Sequence, residues 1–219
     1  MEKLYTHVIW DFNGTVLNDA QLGISCVNRM LRIRGLPTVN GLEAYREIFD
    51  FPVEDYYRRL GFDFEKEDYK TVLAPEWVQM YCAHSCEAPL YEGVRPLAAA
   101  LRQAGVHQSI LSASERAMLC RQLEERDAAD VFDEVWGTDS IHAYGKEGLA
   151  KGWRAAHQEA RALMLGDTTH DAEIAAVLGA DCILIADGHH SKERLLRCGV
   201  TVVQDLAECA KLLHERGII

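Results

Sequence analysis

The sequence has no long apolar run and no excess of positive charge. No stretch approaches the ~20 consecutive apolar residues that span a bilayer. The 219 residues include 34 acidic and 23 basic side chains, which gives a formal net charge of −11. Without a basic run there is no electrostatic basis for binding nucleic acid or an anionic membrane. Because residues 1–7 also lack the pattern of a signal peptide, we predict a cytoplasmic protein with neither kind of partner.

The cysteines do not form the paired pattern of a disulfide-stabilised protein. Their number, seven, is odd, and they are scattered along the chain, which indicates a reducing compartment. One cluster, Cys82-Ala83-His84-Ser85-Cys86, contains possible metal ligands. On a helix the two cysteines would share a face while His84 would point elsewhere, so a metal site is not favoured there.

Short apolar runs alternate with amphipathic stretches from about residue 95 onward. Runs of this kind are typical of buried strands in a parallel sheet, and their alternation with helices predicts an α/β domain. The predicted strands are His7–Trp10, Ser109–Leu111, Glu134–Trp136, Ala162–Leu165, Cys182–Ile185 and Thr201–Val203.

Proline is scarce and unevenly placed. Four of the five prolines lie between residues 37 and 89, and none follows Pro96. The same region shows helical periodicity and no convincing strand, so we predict an insert of several short helices joined by turns. The predicted core domain is residues 1–17 and 91–219, the predicted helical domain is residues 18–90, and the hinges lie near residues 16–20 and 89–93.

Polar residues follow several of the predicted strands. Asp11-Phe12-Asn13-Gly14-Thr15 follows the first strand and Ser112 the second, while Lys146 precedes a helix and Asp167 and Asp171 follow the fourth strand. Ligands of parallel sheets bind at these carboxyl ends. An ordinary strand-to-helix turn would explain Asp11–Thr15 alone. Together the residues offer a nucleophilic carboxylate, oxygen ligands for a hard metal ion, a hydroxyl donor and a fixed cation.

In these four segments the chain resembles the haloacid dehalogenase (HAD) superfamily. Asp11–Thr15, Ser112, Lys146 and Gly166–Asp171 match its four motifs in order, and the likeness is greatest to the phosphoglycolate-phosphatase-like branch. The resemblance implies a Rossmann-like three-layer α/β/α parallel-sheet core. It also implies that the helical insert is a C1-type cap, which closes over the site and selects the substrate.

The resemblance implies a Mg²⁺-dependent phosphatase that hydrolyses a small phosphorylated metabolite through an aspartyl-phosphate. The nucleophile would be Asp11. Mg²⁺ would be held by Asp11, the backbone carbonyl of Asn13, Asp167 and Asp171. The catalytic and phosphate-binding residues would include Phe12, Asn13, Gly14, Thr15, Ser112, Ala113 and Lys146.

Asn13 departs from the pattern of the family's phosphatases, which usually carry aspartate at this position as a general acid and base. An amide cannot exchange a proton at neutral pH, so the protein could be slow, favour good leaving groups or use His170, His189 or His190 instead. Ala113, where the family usually has asparagine, is a smaller departure.

Several alternatives remain open. The strongest is a phosphate-binding or regulatory protein that has lost turnover. A phosphonate hydrolase is less favoured because residues 18–61 contain no lysine, and a metal-free 2-haloacid dehalogenase because Asp167 and Asp171 are present. Arg46, Arg58 and Arg59 are candidates for binding a second anionic group. Neither the substrate nor the oligomeric state is indicated.

Overall fold

The computed structural model describes residues 4–139 and 146–219. Its centre is a six-stranded parallel sheet in the order β3-β2-β1-β4-β5-β6, with every neighbouring pair parallel. The strands are β1 (His7–Trp10), β2 (His107–Glu115), β3 (Glu134–Thr138), β4 (Ala162–Gly166), β5 (Asp181–Ile185) and β6 (Thr201–Val203).

Helices cover both faces of the sheet. The helices that follow the insert are α5 (Val94–Gln103), α6 (Arg116–Glu124), α7 (Glu147–Ala156), α8 (Thr169–Leu178), α9 (Lys192–Leu196) and α10 (Leu206–Glu215). Successive residues of a strand face opposite sides, so Trp10 joins a core cluster with α5, α6 and α10. Ile9 joins a second cluster with α7, α8 and α9. The predicted three-layer α/β/α fold is therefore confirmed.

A helical segment, residues 18–90, lies between β1 and β2. It contains α1 (Ala20–Ile33), α2 (Gly41–Ile48), α3 (Val53–Arg59), a π-helical turn (Tyr69–Leu73), α4 (Ala74–His84) and a 3-10 turn (Ser85–Glu87). Its own apolar cluster includes Met30, Tyr57 and Leu73. The two connections to the sheet run side by side: the Asn18 N–H donates to the Pro89 carbonyl at 2.9 Å and the Tyr91 N–H to the Val16 carbonyl at 3.0 Å.

The ends of β2 and α8 determine where the polar residues lie. The pairing of β2 with β3 is irregular between Leu111 and Glu115, and such irregularities redirect side chains near functional sites. Helix α8 begins in a capping box in which the side chains of Thr168 and Asp171 each accept from the other's backbone N–H, an arrangement that fixes the start of a helix. Among the described helices, none has the length and apolar character needed to cross a membrane.

Candidate active site

Three buried aspartates meet where the carboxyl ends of β1 and β4 come together. Asp11 follows β1, Asp167 follows β4, and Asp171 lies in the first turn of α8. One carboxylate oxygen from each lies within 4.8 Å of those of the other two. Their side chains are almost completely inaccessible to solvent. The strands thus bring together the three carboxylates predicted from their positions along the chain.

Lys146 joins two of these carboxylates. Its Nζ donates to Asp11 Oδ1 and, at 2.6 Å, to Asp171 Oδ1, and the lysine is only 3% exposed. Burial lowers the pKa of Lys146, but the two carboxylates raise it by more, so the net shift is upward. The lysine therefore stays positively charged and holds Asp11 in a fixed position.

The aspartate cluster carries more negative charge than Lys146 can neutralise. Burial raises the pKa of Asp11 well above its ordinary value, and Asp171 and Asp167 raise it further against the opposing effect of Lys146. Burial and Asp171 also raise the pKa of Asp167. For Asp171 burial acts in the same direction, but Lys146 and Thr168 outweigh it and the pKa is lowered. Three buried carboxylates beside one ammonium make a set of hard oxygen donors that fits Mg²⁺.

Two glycines allow Asp167 to lie directly against its neighbours. A Cβ on Gly14 would come within 2.3 Å of Asp167 Oδ2, and one on Gly188 within 2.2 Å of the same atom. The carboxylate accepts hydrogen bonds from the Thr15 hydroxyl at 2.8 Å and from the His189 N–H at 2.6 Å. A larger residue at either glycine would displace Asp167.

The side chain of Asn13 is engaged at both ends. Its Nδ2 donates to Asp19 Oδ2 at 2.7 Å and to the Tyr81 hydroxyl at 2.9 Å, while its Oδ1 accepts from Ser114 Oγ at 2.8 Å. Tyr81 in turn donates to Asp19 Oδ2 at 2.6 Å. Asn13 is therefore the centre of a hydrogen-bond network that links the loop after β1 to α4 and to β2.

Of the three histidines considered as replacements for the missing acid, His189 faces the cavity beside Asp11. Its Nε2 lies 3.5 Å from Asp19 Oδ1, and its Nδ1 is 2.8 Å from the Tyr45 hydroxyl. Burial lowers the pKa of His189, but Asp19 raises it by more, to about 9. His170 instead pairs with Glu173, and His190 accepts from the Thr169 N–H.

Ser112 lies in the same cavity wall, with Ala113 and Ser114 beside it. All three belong to the irregular part of β2. Ser112 Oγ accepts from the Ser114 N–H at 3.1 Å, so it is available as a donor toward the cavity. The hydroxyl predicted at this strand end therefore lines the same cavity as Asp11.

Other predicted phosphate-binding groups make packing contacts or hydrogen bonds within the protein. The Phe12 side chain is part of the core. The Gly14 N–H donates to the Leu17 carbonyl and to Asp19 Oδ1, and the Thr15 hydroxyl serves Asp167. Phosphate binding through this loop stays a prediction.

The candidate arginines do not line the cavity. Arg46 donates to the Gly188 carbonyl at 2.8 Å, Arg58 pairs with Asp55, and Arg59 pairs with Asp50. Among the described residues, one group of three or more histidine, cysteine, aspartate or glutamate side chains lies close enough together to hold a metal ion, and it is the aspartate trio.

Three residues of this site, Asp19, Tyr81 and Ser114, were not predicted from the sequence. Asp19 immediately precedes α1, Tyr81 lies in α4 and Ser114 in β2, so these residues meet only through the tertiary fold. Asp19 alone had a local signal, as a carboxylate shortly after the first motif within a predicted hinge.

Comparison with known proteins agrees with this geometry. The family model of haloacid dehalogenase-like hydrolases matches residues 8–185. The chain belongs to this family. The match includes both the parallel sheet up to β5 and the helical segment, and all the site residues described above except those of the loop after β5.

Solved structures similar to this hydrolase share its fold along almost the whole chain. A haloacid dehalogenase-like hydrolase from Streptococcus pneumoniae is 19% identical, with a TM-score of 0.80 and coverage of 96% of this chain and 99% of that one. A protein named as a predicted phosphatase, from Clostridium acetobutylicum, is 22% identical with the same TM-score and coverage.

A further relative has a different name. The tyrosine-protein kinase PtkA of Mycobacterium tuberculosis is 23% identical over 214 residues, which are 96% of this chain and 72% of the relative. Its structure has a TM-score of 0.77 and covers 97% of this hydrolase and 99% of that chain.

Proposed function

We propose that this hydrolase is a Mg²⁺-dependent phosphatase that cleaves a small phosphomonoester through a phosphoryl-aspartate at Asp11. The observation that carries the proposal is the convergence of Asp11, Asp167 and Asp171 around the buried Lys146. Such a cluster fits a reaction in which negative charge on a phosphoryl group must be approached by a carboxylate.

Asp11 is the proposed nucleophile. Its carboxylate oxygen attacks phosphorus, the bond from phosphorus to the alcohol oxygen breaks, and water later hydrolyses the acyl phosphate to regenerate the carboxylate. Lys146 holds Asp11 and contributes positive charge, while the Ser112 hydroxyl donates to a phosphoryl oxygen. The backbone of Phe12, Asn13 and Ala113 completes the proposed phosphate site.

The carboxylates of Asp11, Asp167 and Asp171, with the backbone carbonyl of Asn13, would hold the metal ion. When bound, Mg²⁺ neutralises the charge of these carboxylates and of the phosphoryl oxygens. The helical segment of residues 18–90 is the proposed cap domain, and residues 1–17 and 91–219 the core. Side chains of this segment, such as Tyr56 and Trp77, line the cavity, which supports a role in excluding water from the reaction.

The test is hydrolysis of p-nitrophenyl phosphate and a panel of phosphorylated metabolites, with one phosphonate and one 2-haloacid included. We expect EDTA to abolish turnover, Mg²⁺ to restore it and Asp11→Asn to eliminate it. Asp130→Asn changes an exposed aspartate outside the cavity and serves as the matched control. Release of halide from the 2-haloacid that EDTA leaves unchanged would support a metal-free dehalogenase. Binding of phosphate without turnover would support a regulatory protein.

A second candidate is transfer of the phosphoryl group from Asp11 to an acceptor other than water. It is favoured by Asn13, because an amide, here held by Asp19 and Tyr81, cannot deprotonate a water molecule. The name of the relative PtkA, a tyrosine-protein kinase, points to a phenolic acceptor. Mass spectrometry of the products formed from acetyl phosphate with and without added tyrosine would separate transfer from hydrolysis.

A further inference from the structure

The cavity beside Asp11 has a mainly aromatic wall. Its volume is about 160 Å³, and its described lining includes eight aromatic side chains, all from residues 45–81 of the helical segment. Tyr45, Phe49, Tyr56 and Trp77 are among them. An apolar protein cavity of about 150 Å³ accepts a benzene molecule, so this space, part of which adjoins Asp11, Ser112 and Lys146, holds at most one aromatic ring.

Among the described residues, the cavity lining offers no unpaired cation to a second anionic group. Among its described lining residues, the positively charged or protonatable bases are Lys146 and His189. Lys146 is paired with Asp11 and Asp171, and His189 lies beside Asp19. A substrate with a second carboxylate or phosphate would bury that charge without a partner, which is costly. The alcohol part of a substrate that fits here is therefore uncharged.

Asn13 favours a substrate whose alcohol is a good leaving group. Its amide nitrogen is held by Asp19 and Tyr81, and an amide exchanges no proton at neutral pH, so Asn13 supplies no proton to a departing oxygen. A phenol, with a pKa of about 10, leaves as an anion far more readily than an aliphatic alcohol. General acid catalysis is worth roughly 10²–10⁴-fold, and an aryl ester depends on it least.

We propose that the substrate is an aryl phosphate, the ester of an uncharged one-ring phenol. The inference rests on the proposed phosphatase function and narrows its substrate class. Such a substrate differs from a sugar phosphate, whose alcohol part carries several hydroxyl groups. It also differs from the phosphate of a hydroxy acid, whose alcohol part is charged.

Phosphonates test this binding preference without any contribution from leaving-group chemistry. With Mg²⁺ present, isothermal titration calorimetry would measure Kd for benzylphosphonate and phosphonoacetate. Burial of the ring should make benzylphosphonate bind about tenfold or more tighter than phosphonoacetate. Equal or tighter binding of phosphonoacetate would overturn the proposal.

The two levels of inference fail differently. If no phosphate ester is hydrolysed in an EDTA-sensitive way, the proposed function is wrong. If esters such as acetyl phosphate are hydrolysed but benzylphosphonate does not bind, the phosphatase function stands and the aryl substrate class is wrong.

Discussion

Asn13 donates a hydrogen bond to Asp19 across 2.7 Å, so the residue two positions after the proposed nucleophile is tied to a second buried carboxylate. Asp19 also accepts from Tyr81 and from the Gly14 N–H. Burial raises the pKa of Asp19, but His189 and these donors outweigh it and the pKa is lowered. A charged Asp19 accounts for an amide at position 13, because a carboxylate there would meet a like charge.

We predict that Asn13→Asp alone destabilises the protein, whereas Asn13→Asp combined with Asp19→Asn restores most of the stability. The single variant loses a hydrogen bond to a charged group and sets two carboxylates side by side, at a cost of about 1–3 kcal/mol. The exchanged pair keeps one amide facing one carboxylate. Urea unfolding of the wild type, both single variants and the double variant would measure the coupling free energy.

The same exchange should also place a proton-transferring group beside the scissile oxygen. Turnover of an alkyl phosphate should then rise more than that of p-nitrophenyl phosphate, since the latter leaves without protonation. If the double variant shows no gain on the alkyl ester, another residue already supplies the proton, and His189 is then the histidine in place to do so.

A second prediction concerns Lys146. Lys146→Met leaves Asp11 and Asp171 buried without their shared cation, so the metal-free protein should lose about 3–5 kcal/mol of unfolding free energy. Saturating Mg²⁺ should recover more stability in this variant than in the wild type, while turnover is lost. Lys151→Met, on the exposed side of α7 where Lys151 pairs with Glu147, is the control. Equal stabilisation of the Lys146→Met variant and the wild type by Mg²⁺ would argue against a metal ion among the aspartates.

The parallel sheet and the aspartate cluster could be predicted because local pattern determines both. Strands buried on two faces read as short apolar runs, as in His7–Trp10, and side chains that follow such strands gather at one edge of the sheet. Asp11, Asp167 and Asp171 lie within a few residues of a strand end, so their meeting needs no knowledge of the helical segment.

The network around Asn13 could not be predicted, since it depends on how the helical segment packs. Tyr81 reaches Asp19 from 62 residues away. His189 and His190 are adjacent in sequence, yet only His189 lines the cavity. Arg46 has the same residue type and helical setting as Arg58, and its contact with the loop after β5 appears only in the folded protein.

That contact of Arg46 leads to a third prediction. Arg46 donates to the carbonyls of Gly188 and Asp187 at 2.8 and 2.5 Å, and Arg194 donates to the Phe49 carbonyl at 2.6 Å. The hydrogen bonds of Arg46 connect α2 to the loop that contains His189. The hydrogen bond of Arg194 connects the residue after α2 to α9. Arg46→Ala should therefore raise KM by about fivefold or more through lost preorganisation and increase hydrogen exchange in α2. Arg58→Ala should change neither, and a matching effect in both variants would show that surface charge, not this contact, is responsible.

The last prediction concerns acid stability and lies at the opposite end of β1. His7 packs against the rings of His107 and Trp153, with centroids 5.1 and 5.6 Å away. Burial, and the neighbouring His107 and His157, lower its pKa to about 4, against about 6.5 in an unfolded chain. Between these values the unfolded chain binds a proton that the folded protein does not. The stabilisation is thus complete above pH ~6.5 and is lost as the pH falls toward 4.

Urea unfolding at pH 7 and pH 5 should show this loss, and His7→Gln should reduce the difference between the two midpoints. His190, whose pKa burial lowers to about 3, contributes in the same direction, so part of the pH dependence should persist in the variant. His189 does not oppose it, because a pKa raised to about 9 gives stabilisation that is fully present below pH ~6.5 and lost only as the pH rises through 9. His214→Gln, an exposed position on α10, should leave the pH dependence unchanged. If His7→Gln keeps the full wild-type difference, the ring cluster at the start of β1 is not a source of acid sensitivity.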